Sequence, residues 1–276
     1  MHRAYFDFHG LRLSYLEAGE KHNRKLFIAH ANGYAAGCYD YLIAALSADF
    51  HVCALDFAGH GGSEGTLAFD SWDFFRDQIT AFFAYKNWKH CIAIGHSLGG
   101  GSLLRAAIEN SDQFEKIIAF DPVMLSFPAV IYVKLFGNPM ARVALARRAD
   151  FKNKEQALKI FSRHPANRNW ENDSVRAYVE YCIRETKEGD AELCCDPAIE
   201  SRIFSQAGWR HLLQLGRIRC EVQLILPGHS NVCPPRIAAR VTAKHPRSAI
   251  ERVAGAGHLL PFENRGLTLS LVKKHL

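Results

Sequence analysis

Gly95-His96-Ser97-Leu98-Gly99 is the stretch that decides how the rest of this chain is read. It follows Lys89-His90-Cys91-Ile92-Ala93-Ile94, a short apolar run with the character of a buried strand. It precedes Gly100-Gly101-Ser102-Leu103-Leu104-Arg105-Ala106-Ala107-Ile108, which reads as a helix. Strand, sharp turn and helix is the setting in which a G-x-S-x-G serine sits on a strained turn with its hydroxyl exposed at the sheet edge. Small flanking residues are needed because a Cβ there would strike the neighbouring strand or helix. The amide of Leu98, in the first helical turn, then points to where a developing oxyanion would lie.

Working outward, residues 4–18 alternate around His9-Gly10 and predict a β-hairpin. Lys25 to His30, His51 to Asp56 and Lys116 to Phe120 read as strands, the last closed by Asp121-Pro122; Tyr39 to Leu46 and Trp72 to Tyr85 read as helices. Near the end come strands at Glu221–Leu226 and Ser248–Val253, with helices at Pro235–Lys244 and Leu267–His275. Strands alternating with helices imply an α/β fold with a doubly wound, mostly parallel sheet covered on both faces. Residues 123–215 break the alternation with helical patterns and many aromatics, and read as a helical cap inserted over one edge of the sheet. This divides the chain into a core of 1–122 and 216–276 and an insertion of 123–215.

Composition narrows the function classes. The 276 residues are 48% hydrophobic and 22% charged, as in ordinary globular proteins. No apolar run reaches the ~18 residues of a membrane span, and Met1-His2-Arg3-Ala4-Tyr5-Phe6-Asp7 has no apolar signal core. The expectation is a cytoplasmic protein with a small-molecule substrate, no nucleic-acid partner and no membrane partner, its oligomeric state left open. The eight cysteines form no C-x-x-C pair, which argues against a zinc site or a redox motif. Adjacent Cys194-Cys195 is poorly placed for a disulfide. Cys38 and Cys233 are read as core or surface thiols. The net charge of +6 is concentrated between Lys134 and Arg176, where ten Lys or Arg face four acids. That balance reads as a solvated helical surface, with attraction of an anionic substrate as the functional alternative.

Together these motifs resemble the α/β-hydrolase superfamily, in its capped branch of esterases and related epoxide hydrolases and haloalkane dehalogenases. His30-Ala31-Asn32-Gly33 resembles the oxyanion loop after the third strand. Asp56-Phe57-Ala58-Gly59-His60-Gly61-Gly62-Ser63 fits the D-x-x-G-x-G-x-S loop after the fourth. Gly257-His258 stands where the family carries its catalytic histidine. The resemblance implies that Ser97 is the nucleophile and His258 its base, since a serine hydroxyl needs a group to take its proton and an imidazole titrates near neutrality. It implies an oxyanion site at the backbone amides of Leu98 and Asn32, with the Asn32 side chain as a further donor. His30 and the Gly59–Ser63 loop are read as shaping the site.

The acid departs from the family pattern. In Pro227-Gly228-His229-Ser230-Asn231, Asn231 occupies the place where the family carries aspartate. Two repairs stay open: Asn231 orients His258 through a hydrogen bond, or Asp121, at the tip of the preceding strand, supplies the carboxylate. The implied activity is a cofactor-independent, metal-independent serine hydrolase that cleaves a small ester or thioester through an acyl-enzyme. The alternative is a ligand-binding, receptor-like protein on the same scaffold, and a lyase using the same histidine is a third reading. A carboxylate-nucleophile mechanism is argued against by the serine, and fold alone does not separate the remaining readings.

Overall fold

The computed structural model describes every residue except Ala207 and His229. Among the described residues the chain opens with β1 (His2–Phe8), β2 (Leu11–Ala18), β3 (Lys25–Ala29), helix α1 (Asp40–Leu46), β4 (His51–Leu55), α2 (Asp73–Tyr85), β5 (Cys91–His96), α3 (Leu98–Glu109) and β6 (Phe114–Phe120). After a long insert come β10 (Glu221–Pro227), α9 (Pro235–Thr242), β11 (Ala249–Val253), α10 (Leu260–Glu263) and α11 (Arg265–His275). The strands form one sheet in the order β1-β2-β4-β3-β5-β6-β10-β11. β1 and β2 run antiparallel, as do β2 and β4, and every later pair is parallel. The His9-Gly10 turn has positive φ at both residues, the two-residue geometry that matches strand twist in a hairpin. The expected α/β class and mostly parallel sheet are present.

The strand residues alternate between two apolar layers. Phe27, Cys53, Ala93, Ile117 and Leu224 face one way, against Phe82 of α2, Leu104 of α3 and Val241 of α9. Leu26, Val52, Ile94, Ile118 and Ile225 face the other, against Ile43 of α1 and Val272 of α11. Because both faces are covered, the central strands read as continuous hydrophobic runs rather than as alternating ones. Cys38 and Cys233 are both buried here, so neither thiol is offered at the surface.

One buried carboxylate joins four segments. Asp56, fully buried, accepts hydrogen bonds from Arg3 Nη1 at 2.5 Å, Ser14 Oγ at 2.5 Å, the Gly62 amide at 3.0 Å and the Ala36 amide at 2.7 Å. The first strand, the hairpin and the loops after β3 and β4 are thereby held to one point.

The insert between β6 and β10 is not wholly helical. It contains α4 (Phe127–Phe136), α5 (Pro139–Leu145), α6 (Lys154–Arg163), α7 (Asn172–Cys182) and α8 (Pro197–Ser205). It also carries an antiparallel sheet of β7 (Asp150–Phe151), β8 (Ile183–Glu185) and β9 (Ala191–Leu193), in the order β7-β9-β8, over a small core of Phe151, Val179 and Leu193. Strands of two or three residues are too short for a two-residue period to show in sequence.

The turn after β5 depends on close packing. A Cβ on Gly95 would lie 2.7 Å from the Gly100 backbone, and one on Gly99 would collide with the carbonyl of Ala29. Helix α3 therefore presses directly onto β3 and β5. Gly95→Ala should destabilise the fold by about 1–3 kcal/mol through overpacking. The check is a lowered urea midpoint at unchanged denaturant dependence.

Candidate active site

Ser97 connects β5 to α3 at φ 52° and ψ −113°, outside the regions that favour a non-glycine residue. Its neighbours hold it there. The Ser97 amide donates to the Phe120 carbonyl at 3.0 Å, and its carbonyl accepts from Gly101 at 2.9 Å and Val123 at 3.0 Å. Asp121 also has positive φ, 38°, and its amide donates to the Ile225 carbonyl at 2.9 Å. Two adjacent strand tips thus each present a polar side chain from a strained residue.

His258, in the loop after β11, joins them. Its Nδ1 lies 2.6 Å from Asp121 Oδ2 and its Nε2 lies 3.0 Å from Ser97 Oγ. A carboxylate only accepts, so Nδ1 carries the proton and Nε2 turns a lone pair toward the serine hydroxyl. Asp121 is buried while the His258 side chain is 38% exposed, which places the imidazole between the interior and the open site. The two alternatives for the acid are thus separated in space. Asp121 contacts His258; Asn231 instead lines the cavity beside Ser97. Sequence reasoning missed Ser230, whose hydroxyl donates to the second oxygen of Asp121 at 2.5 Å and accepts from the Cys233 amide at 2.9 Å. The loop that lacks the family's aspartate therefore supports the aspartate of the neighbouring strand. His229 of that loop lies outside the described residues.

Both residues expected to supply oxyanion amides border one cavity. Leu98 and Asn32 line the cavity at Ser97, and among the described residues neither amide has an acceptor within the protein. The Asn32 side chain also ties the loop to the insert, since one N–H of its Nδ2 donates to the Glu200 carbonyl at 3.2 Å.

Three buried imidazoles hold the surrounding backbone. His30 lies with Nδ1 2.7 Å from the Ala31 carbonyl and accepts the Phe57 amide at Nε2. His60 lies with Nδ1 3.1 Å from the Ala58 carbonyl and accepts the Gly33 amide at Nε2. His96 donates from Nε2 to the His258 carbonyl at 2.8 Å and accepts at Nδ1 from Tyr39, whose oxygen in turn receives the Ala31 amide. Each ring needs one protonated and one bare nitrogen, so each must stay neutral. Burial does this, pushing His60 and His96 down to about 3 and lowering His30.

Two cavities lie between the core and the insert, and one of them includes Ser97 in its lining. One, of about 530 Å³, is lined mainly by apolar groups, including Trp72, Val123, Leu125 and Val133, and opens at Ser97. The other, of about 470 Å³, runs past Gly33 and Leu259 among the aromatic rings of Tyr34, Phe161, Trp170 and Tyr178. Met140 and Phe204 of the insert border both. Within the insert, Arg147 is held by Glu200 and Tyr178 at 2.5 Å each, so part of the basic balance of the sequence is spent internally.

A model of the Alpha/beta hydrolase family matches residues 26–269, which is most of the chain. The chain belongs to the α/β-hydrolase family. Among curated relatives of this α/β hydrolase, a monoglyceride lipase of Rattus norvegicus is 31% identical over 134 residues, 44% of each chain. A protein described as a probable serine hydrolase of Drosophila melanogaster is 32% identical over 107 residues, 37% of this chain and 32% of that one. The match thus spans less than half the length of these relatives. Among solved structures, E-2-(acetamidomethylene)succinate hydrolase superimposes with a TM-score of 0.79 at 20% identity, over 99% of this chain and 98% of that one. A thioesterase domain from the curacin biosynthetic pathway gives 0.77 at 16% identity, over 99% of each chain. At these identities the structural matches establish the fold alone.

The neutral histidines set a pH dependence. An unfolded histidine takes up a proton below its ordinary value of 6.5, whereas folded His96 does so only near 3. Stability is therefore lost as pH falls through this window. His96 should account for about 2 kcal/mol of lost unfolding free energy between pH 7 and pH 5. His96→Asn should shrink the pH 7 to pH 5 difference by that amount in urea titrations.

Proposed function

We propose that this α/β hydrolase is a serine esterase or thioesterase that works through an acyl-enzyme, without metal or cofactor in the reaction. The supporting observation is the continuous hydrogen-bonded chain from Asp121 through His258 to Ser97, with two unpaired amides beside the serine. Ser97 Oγ attacks the substrate carbonyl carbon as His258 Nε2 takes the hydroxyl proton. The carbonyl oxygen gains the negative charge and is met by the amides of Leu98 and Asn32. Asp121 holds the ring in the required tautomer and stabilises the imidazolium, with Ser230 fixing the carboxylate. The tetrahedral intermediate collapses, His258 passes its proton to the leaving alcohol or thiol, and the acyl group stays on Ser97. Water, deprotonated by the same nitrogen, attacks the acyl carbon and releases the acid.

The apolar cavity at Ser97 suits the acyl chain. Its apolar lining favours a hydrophobic acyl ester or thioester over a polar amide. The receptor-like alternative drew its force from the missing carboxylate at Asn231, and the Asp121–His258 contact at 2.6 Å supports the esterase reading over it.

Fluorophosphonate labelling with mass mapping, beside p-nitrophenyl ester kinetics, tests the reading. Label should map to Ser97 and depend on His258. Asp121→Asn should lower kcat by about 10³–10⁴-fold, while Asn231→Ala lowers it less than about tenfold. The reverse ranking of these two variants would move the acid role to Asn231, and absence of labelling in folded protein would remove the hydrolase reading. A second experiment addresses the acyl side. Val133→Trp, which narrows the apolar cavity, should move the optimum to shorter acyl chains while acetate-ester turnover stays within about tenfold.

A further inference from the structure

Helix α4 and the start of α5 expose more large apolar side chains than any comparable segment among the described residues. On α4, Phe127, Ile131 and Leu135 form one row at four-residue spacing, and Tyr132 and Phe136 form part of the next. Leu135 and Phe136 are each 70% exposed, and of the helix only Val130 is buried. On α5, Met140, Val143 and Leu145 continue the exposed apolar surface. A helix that is apolar on nearly all sides is ordinarily buried, and here it faces outward.

Charge narrows the kind of partner. Residues 122–149 contain Lys134, Arg142, Arg147 and Arg148 and no Asp or Glu. Lys134, Arg142 and Arg148 are exposed and, among the described residues, form no ion pair. Two copies of this surface brought together about a two-fold axis would set cation against cation. A surface that offers apolar depth and negative charge together complements it, and an anionic lipid layer has both. The position also fits. Tyr132, Val133, Pro139 and Met140 of the same two helices wall the apolar cavity at Ser97, so a lipid layer against α4 would meet that cavity's outer wall.

We infer that α4 and α5 form a docking surface for anionic lipid membranes, with the apolar rows in the acyl boundary and Lys134, Arg142 and Arg148 at the headgroups. This departs from the expectation of no membrane partner, which rested on the lack of an apolar run long enough to span. No helix among the described residues is long and apolar enough to cross a membrane, but a helix lying in the interface needs no such length.

Docking is read by vesicle flotation of the full chain carrying Ser97→Ala, so that turnover plays no part and failure of the hydrolase reading would leave this result untouched. The protein should float with phosphatidylcholine vesicles containing phosphatidylserine, much less with phosphatidylcholine alone, and less as salt is raised. Leu135→Ser/Phe136→Ser and, separately, Lys134→Glu/Arg142→Glu should each weaken binding at least about tenfold. None of these four side chains lines either cavity. In the Ser97 background they should leave hydrolysis of a water-soluble acetate ester unchanged. Three results would overturn the inference: no flotation with anionic vesicles, flotation indifferent to headgroup charge, or a dimer in light scattering that Leu135→Ser/Phe136→Ser dissolves while flotation persists.

Discussion

The approach of α3 to the sheet is the constraint on which the site depends. Gly95 and Gly99 let the helix backbone come within contact of β3 and β5, and only that distance permits the turn at Ser97. The turn is costly for a serine, of order 1–3 kcal/mol, and is offset by the hydrogen bonds that fix Ser97 to Phe120 and Val123. The same hydrogen bonds carry β6 alongside, so the tip that bears Asp121 is positioned by the residues that hold the serine. The Ser97 turn and the Asp121 tip are one packed unit, and the imidazole of His258 closes it from outside.

Burial divides the histidines into two kinds. His30, His60 and His96 lie inside and are held neutral, so each serves as a fixed donor and acceptor between backbone segments. His258 stands at the boundary, its side chain partly exposed beside Ser97. The link from the Ala31 amide through Tyr39 and His96 to the His258 carbonyl joins the loop after β3, the β5 tip and the loop after β11 by three hydrogen bonds. The first variable position of G-x-S-x-G thus has a structural task of its own, since a bulky apolar residue there would leave the His258 carbonyl without a donor.

The insert supplies what the core lacks. The core alone leaves Ser97 at an open sheet edge, and α4, α5 and α8 wall the cavity over it. The insert is held down both by apolar packing, with Ile199, Ile203, Tyr178 and Cys182 joining the core layers, and by hydrogen bonds such as Trp72 to the Ile203 carbonyl and Asn32 to the Glu200 carbonyl. Its outer face is apolar and basic, so the segment that shapes the cavity is also the one that meets whatever lies outside.

Much of this was legible in the chain. Continuous apolar runs, glycine-rich turns and the order of four motifs determined the α/β sheet, the location of the serine turn and the histidine loop, because these signals are local and carry their own spacing. The partner of His258 was not legible: Asp121 and Asn231 follow neighbouring strands, and which of them meets His258 is a matter of direction across the sheet that no linear spacing encodes. Ser230, the His96 to His258 link and the Asn32 to Glu200 link were hidden for the same reason, each joining residues far apart in sequence. The short strands of the insert and its outward apolar face were likewise decided only in three dimensions, since burial is a property of what packs against a residue and not of the residue itself.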